Sequence, residues 1–308
     1  MLASIYGAIV LGLLYALMAL GVYITFRILD FPDLTVDGSF VTGGAICASM
    51  ISQGYNPYLA TLAGFAGGLL AGACTGLLHT KGKINGLLAG ILMMIALYSI
   101  NIRIMGSPNV SLRKVETILT PLKEANIGVY IAVAGIAVLL IKLLLDAFLH
   151  TDLGLALRAT GDNARMIRSF GANTDSTKIL GISLSNGLVA LSGALIAQHG
   201  SYTDVNMGVG MIVIGLASVI IGEAIFGMRR VWIATLAVVV GSIVYRVVYA
   251  LALRIEWFNA SDLKLITAVL VIIALVIPQV RRAMKQRNLA RRRTLELLGQ
   301  SAGKGGRA

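Results

Sequence analysis

The feature that leaves this chain fewest options is a succession of apolar runs, beginning with MLASIYGAIVLGLLYALMALGVYITF, most of them about as long as a helix that crosses a bilayer. Such a helix needs roughly 20 apolar residues for about 30 Å of hydrocarbon, where the backbone must satisfy its own hydrogen bonds. Nine spans can be drawn, at about 4–26, 36–52, 58–78, 84–104, 128–149, 178–199, 209–227, 231–252 and 264–280. The run at 36–52 is short and that at 209–227 is broken by glycine, so either is expected to tilt or to be interrupted. Only 13% of residues are charged, about half the share of a soluble domain, and the mean hydropathy is +0.85. Abundant glycine (35 residues) and sparse aromatics (6%) suit close-packed helices. A β-barrel would need alternating hydrophobicity and aromatic girdles. The fold class is therefore all-α: a polytopic transmembrane helical bundle of about nine spans. The first run lacks a basic segment before it and is long enough to span, so it reads as a retained helix and not a cleaved signal.

The net charge of +12 invites a nucleic-acid reading, but the distribution of charge opposes it. Nine of the 26 basic residues lie between Arg281 and Arg307, directly after the last apolar run, where the positive-inside rule and anionic lipid headgroups account for them. Loops after the odd-numbered spans carry Arg27, Lys81, Lys83, Arg158, Arg165, Arg168, Lys178, Arg229 and Arg230; with the tail they hold 18 basic residues. The alternate loops hold Arg103, Arg113, Lys114, Lys123, Arg254 and Lys264. This bias places the N-terminus outside and the C-terminus in the cytoplasm. The implied organisation is one membrane domain over 1–285, with an external loop at 105–127 and a cytoplasmic segment at 150–178, followed by a basic tail at 286–308.

That cytoplasmic segment is the chain's one compact polar module. In LGLALRATGDNARMIRSFGANTDSTKIL, Asp162 is placed to cap a short helix starting near Asn163, and Gly171 to end it in a left-handed conformation. Met166, Ile167 and Phe170 then share one side, with Arg165 and Arg168 along an edge. Thr174 or Asp175 is expected to cap the next span. Two turns of helix are marginal in water without support, so a braced, apolar-tipped helix is expected, suited to a groove on another protein. The plainer reading is a solvated loop whose arginines only set orientation.

The stretch GLALRATGDNARMIRSFGANTDSTK resembles the cytoplasmic segment of permease subunits of ATP-binding-cassette importers, in the branched-chain amino-acid and ribose permease group. GLLYALMALGVYITFRILDFPDLTVDGSFVTGGA is similar to that group's first two helices, and FPDLTVDGSF resembles the tryptophan/tyrosine-type branch. GLASVIIGEAIFGMRRVWIATLAVVVGSIVYRVV resembles a later helix pair, departing at Glu223, where small residues are common. The resemblance implies that the short helix is a coupling helix seated in a separate ATPase. Its carried-over positions are Arg158, Ala159, Gly161, Asn163, Ala164 and Gly171. It also implies a homodimer with a second permease copy, ATP-binding-cassette ATPase subunits that use ATP and Mg, an extracytoplasmic solute-binding protein, and a bacterial cytoplasmic (inner) membrane location. This chain itself is expected to bind no cofactor and to be no enzyme.

Other polar residues within apolar runs are candidates for a pathway or gate, since intramembrane ionisable groups are costly. Asp33 and Asp37 flank the entry to the second span; Asp37 reads either as a gate residue or as a helix cap or partner of Arg27. Asn101, Asn186, Gln198, Tyr245 and Arg246 lie inside spans. Arg246 either snorkels outward or meets a carboxylate of a solute or binding protein. Lys142 and Asp146 read as a local pair. The small residues Gly64, Gly67, Gly68, Gly72 and Gly76, and Gly181, Ser185, Ser192 and Gly193, read as packing faces or as a dimer or pathway seam. His79, His150 and His199 have no metal-ligand spacing, and no catalytic constellation is visible. The function expected is a transmembrane permease subunit that imports a small solute, an amino acid of aromatic type, by alternating access. The rival is an ion-driven secondary transporter, which would show paired mid-membrane carboxylates and an inverted repeat.

Overall fold

A computed structural model describes residues 2–252 apart from 114, 125, 228 and 229, together with isolated positions beyond 252. Ten α-helices and one two-stranded ribbon occur among the described residues. They are α1 (Leu2–Val22, extended by a π-helical turn Tyr23–Ile28), α2 (Thr35–Ser52), α3 (Pro57–Thr80), α4 (Gly86–Met105), β1 (Asn109–Ser111), α5 (Thr120–Glu124), α6 (Ile127–His150), α7 (Asp152–Ser169), α8 (Thr174–Gly200), β2 (Tyr202–Asp204), α9 (Met211–Phe226) and α10 (Val231–Ala252). Eight of the nine expected spans coincide with helices. Six of these are long and apolar enough to cross a membrane: Ser4–Ile28, Pro57–Thr80, Gly86–Met105, Ile127–His150, Thr174–Gly200 and Val231–Ala252. The ninth expected span and the basic tail lie, isolated positions aside, outside the described residues.

The helices start and stop where their residues dictate. Asn56 Oδ1 accepts from Tyr58 N ahead of Pro57, and Asn85 Oδ1 accepts from Leu87 N, so α3 and α4 begin at side-chain caps. Gly106, with φ +70°, closes α4. The centre of the bundle is α8, packed on α3, α2 and α1. Approach is close because the facing positions lack side chains. A Cβ on Gly43 would sit 1.8 Å from Ala190 O, one on Gly193 would sit 1.9 Å from Phe40 O, and those on Gly68 and Gly72 would meet the α8 backbone at 2.4 and 2.5 Å. Ser185 and Ser192 hydroxyls donate to Gly21 O (2.7 Å) and Leu14 O (2.8 Å) on α1. The small-residue faces are thus largely spent on packing within the protomer.

The ribbon pairs Asn109 with Asp204 and Ser111 with Tyr202, antiparallel, tying the α4–α6 connection to the α8–α9 connection. It marks the face where α2, α4 and α8 end. On the opposite face lie the end of α1, the α3–α4 turn, α7 and the α9–α10 turn, with Arg27, Lys81, Lys83, Arg158, Arg165, Arg168, Lys178 and Arg230.

Two connections do not stay at the surface. After the π-helical turn the chain folds back, Phe31 N donating to Thr25 O at 2.9 Å, and α2 begins beside α4 at Leu34, where a Cβ on Gly90 would lie 2.7 Å from Leu34 N. Beyond β2 the chain runs back along α2 until Gly208 touches Asp37, where a Cβ would lie 2.1 Å from Asp37 O. That point is about 22 Å along α2 from its far end at 1.5 Å per residue. The span expected at 209–227 is therefore a 16-residue helix, Met211–Phe226, that begins inside the bundle. The glycines expected to interrupt this run do not: Gly215 and Gly222 lie inside one continuous helix, and what shortens its path is its start within the bundle. The α2 helix is likewise unbroken and set in from the face.

Substituting Gly193→Val or Gly43→Val is expected to lower the thermal midpoint of the purified protein by several degrees or prevent its assembly, as overpacking costs about 1–3 kcal/mol or more. Gly135→Val, with nothing within 4 Å of its Cβ position, should leave the midpoint nearly unchanged.

Candidate functional site

The polar module folds as one helix broken in the middle. Thr151 Oγ1 accepts from Gly154 N (3.3 Å) to start α7, and non-helical angles at Asn163 (φ −157°, ψ 87°) divide it. The first half lies against the bundle. Leu157 and Thr160 are buried, and Gly161 approaches the end of α1 so nearly that a Cβ would stand 1.8 Å from Ile28 O. The second half projects. Asn163 Oδ1 accepts from Met166 N at 3.1 Å, so Asn163 caps this half, not Asp162 as the sequence suggested. With its side chain one residue later, Asn163 reaches the third amide while its own backbone leaves the helix. Gly171 (φ +86°) ends it as expected, with Gly171 N bonded to Arg168 O and Ala172 N to Ile167 O.

The far side is braced too. Asn173 Oδ1 accepts from Asp175 N (3.1 Å) and Ser176 N (3.2 Å), so Asn173 caps α8 in place of the expected Thr174 or Asp175. Those two residues hold the projecting half instead: Arg168 donates to Thr174 Oγ1 at 2.6 Å and to Asp175 Oδ1 at 3.2 Å. Met166 and Phe170 are left in the open, Phe170 74% exposed; Arg165 is exposed and Ile167 half-buried. Ala159 and Ala164 are half-buried within the helix. Arg158 and Asp162 face a cavity of about 390 Å³ shared with Tyr23, Arg27 and Arg230. Of the positions implied by family resemblance, Arg158, Ala159 and Gly161 thus anchor the module, while Asn163, Ala164 and Gly171 shape its projecting half. The anchoring half was not anticipated as helix, although Gly154, Leu157 and Gly161 recur at helical spacing on its buried side.

Inside the bundle, Asp33 and Asp37 sit at the two interruptions. Asp33 accepts from Thr35 N (2.9 Å) at the start of α2 and from Asn186 Nδ2 (2.6 Å) on α8. Asp37 accepts from Gly210 N (2.9 Å) and Ile212 N (2.8 Å), capping α9. Arg27 is not its partner, for Arg27 pairs with Glu223 at 3.1 Å. Asn101 Nδ2 donates to Gly38 O (3.2 Å), and its Oδ1 has no partner among the described residues. Asp37 and Asn101 share a cavity of about 430 Å³ with Gly38, Val41, Met94, Ile95, Tyr98, Ser99, Val205, Gly208 and Val209.

The remaining candidates lie elsewhere. Gln198 is fully engaged: its Oε1 accepts from Ile118 N (3.1 Å) and its Nε2 donates to Thr61 Oγ1 (2.7 Å) and Cys47 Sγ (3.2 Å). Beside it Lys123, its pKa lowered by partial burial, donates to Gln198 O. Arg246 neither snorkels nor meets a carboxylate among the described residues; its guanidinium lies 3.6 Å from the centre of the Tyr15 ring, which stacks on Phe40. Tyr245 is buried and stacks with Tyr249. Lys142 and Asp146 form the expected pair, buried and joined by the Thr235 hydroxyl.

Comparison with known proteins adds a family. The one described as branched-chain amino acid transport system / permease component matches residues 4–276. The tyrosine transport system permease protein of Clostridioides difficile is 44% identical over 281 residues, 90% of this chain and 92% of that protein. An uncharacterized protein of Rickettsia prowazekii is 39% identical over 68% of this chain and 73% of its own length. The ribose import permease protein of Escherichia coli K12 is 28% identical over 67% of this chain and 65% of that one. No solved structure matches the chain.

Removing the projecting half's cap by Asn163→Ala should cost it about 1 kcal/mol, read as faster hydrogen exchange at the amides of 164–169. Asp162→Ala, which removes no cap, should leave those amides as protected as in the parent.

Proposed function

Because the chain belongs to the permease-component family of branched-chain amino acid transport systems, we propose that it forms the membrane pathway of an ATP-driven importer in the bacterial cytoplasmic membrane. The observation that carries this is the projecting half of α7: capped by Asn163, braced by Arg168 on Thr174 and Asp175, and tipped by the exposed apolar groups of Met166 and Phe170. A preorganised helix of this kind suits the groove of a separate motor, since little ordering entropy is lost on docking. In this reading the α7 face is cytoplasmic, the ribbon face meets a solute-binding protein, and a ninth span returns the C-terminus to the inside. ATP and Mg are handled by the ATPase subunits, and a second copy of this chain completes the pathway. An amino-acid solute of aromatic type is supported by the 44% identity to a tyrosine permease.

The geometry supplies a route for coupling. A push on Met166 and Phe170 passes through Asn163 into the anchoring half, and from Gly161 by backbone contact to Ile28 and Leu29. That strand of chain leads through Phe31 to Asp33, which is tied to α8 by Asn186, and then into the first turn of α2, where Asp37 holds the start of α9. Closure of two ATPases would move α2 and α9, the two helices that start inside the bundle, against a glycine-locked α3–α8 pair, giving alternating access. The ion-driven rival is less well supported: Asp33 is tied to α8 and Asp37 to the start of α9, and the two carboxylates share no partner among the described residues.

Three variants test the assignment in the complex with its ATPase. Phe170→Asp and Arg165→Glu are expected to fold normally but lose ATPase association, seen as loss of co-purification and of uptake. Gly161→Leu should still bind the ATPase through its intact tip yet reduce uptake at least tenfold, because the transmitting contact with Ile28 is forced apart. Normal uptake in all three would remove the coupling role.

A further inference from the structure

The cavity between α2, α4 and the re-entrant start of α9 has a composition that selects a ligand. Its lining carries one carboxylate, Asp37, and no cation. Each Asp37 oxygen already accepts one backbone N–H, which leaves lone pairs on both. Asn101, 1% exposed, points its amide nitrogen at Gly38 O, an atom that can only accept, so the side-chain oxygen is the group left over, and it has no partner among the described residues. A buried acceptor without a donor costs about 1–3 kcal/mol, so the fold retains a deficit that a donor-bearing ligand would relieve. Apart from the Ser99 hydroxyl, the remaining wall is apolar, from Val41, Met94, Ile95, Val205 and Val209, with the half-exposed ring of Tyr98 at its side.

We propose that this cavity is a binding station for a primary ammonium bearing a bulky apolar or aromatic substituent. The ammonium donates to Asn101 Oδ1 and Asp37, and the substituent lies against Tyr98 and Met94. That it holds the transported solute in passage rests on the importer reading given above. At about 430 Å³ the cavity has room for one amino acid with a large side chain. The site needs no cation in its lining, because a carboxylate on the same ligand points away, to the cavity's open side. Selectivity for an ammonium over an anion follows from the one charge in the lining, the Asp37 carboxylate.

The test uses the full-length protein in nanodiscs, its methionine methyl groups labelled with carbon-13 and Met94 assigned by Met94→Leu. Three probes of one ring are titrated: L-tyrosine, tyramine, which lacks the carboxylate, and 3-(4-hydroxyphenyl)propanoate, which lacks the ammonium. The expected result is a saturable shift of the Met94 methyl with L-tyrosine and tyramine and none with the propanoate. Asn101→Leu should weaken both shifts about tenfold or more while the thermal midpoint stays at or above the parent's. A Met94 signal that ignores all three probes, or responds as well to the propanoate, overturns the station without needing any variant. Uptake of labelled L-tyrosine by the complete transport system is measured in parallel. Nucleotide-driven uptake that is undiminished in Asn101→Leu overturns the station but leaves the importer reading standing. Absence of nucleotide-driven uptake of any aromatic or branched-chain amino acid by the parent overturns that reading itself.

Discussion

Two carboxylates, Asp33 and Asp37, stand where this chain interrupts its helices inside the bundle, and the architecture depends on their meeting backbone amides there. A helix that begins at a membrane surface can leave its first N–H groups to water; one that begins within apolar packing cannot. The amides at the start of α2 and α9 are answered by Asp33 and Asp37, and Asp33 is answered in turn by Asn186. The negative charge also lies at the favourable end of each helix dipole. Acidic residues that would otherwise be costly in this setting are thus what permits α9 to start about 22 Å along α2 at 1.5 Å per residue, and so what makes a cavity beside it.

Around these interruptions the rest divides by how tightly it is packed. The backbones of α2, α3 and α8 touch through glycine, and hydroxyls of Ser185, Ser192 and Ser242 bond across to main-chain oxygens of α1. Packing of this kind is bistable rather than soft, so a displaced helix moves as a body. By contrast α7 touches the bundle through one half and leaves the other outside. Its break at Asn163 separates a part that packs on the bundle from a part that projects, and the two bonds of Arg168 keep the projecting part in register with α8.

The polar residues singled out in advance illustrate how far a one-dimensional reading reaches. Every candidate inside the spans is buried or half-buried, as the cost of polar groups in hydrocarbon requires, yet their partners were unpredictable. Asp37 bonds residues more than 170 positions away, at Gly210 and Ile212; Gln198 joins three helices and a loop; Arg246 lies over an aromatic ring where a route outward or a carboxylate was expected. In the polar module between the fifth and sixth expected spans the helix and its glycine stop were legible because caps are local. Even so, the cap moved from Asp162 to Asn163, since three neighbouring residues could each supply an oxygen and only the backbone path chooses among them.

The sequence by itself determined that this is a helical membrane protein with eight of its apolar runs in helices, a polar helix between the fifth and sixth, and basic residues on that helix's side. Those properties follow from hydropathy, charge and local capping, which act over a turn or two. Tertiary structure decided that α9 starts inside the bundle, that the glycine faces serve packing within the chain, and that Asp37 and Asn101 line the same cavity. These are matters of which helix lies against which, and no periodicity along a chain encodes the distance between two of its helices.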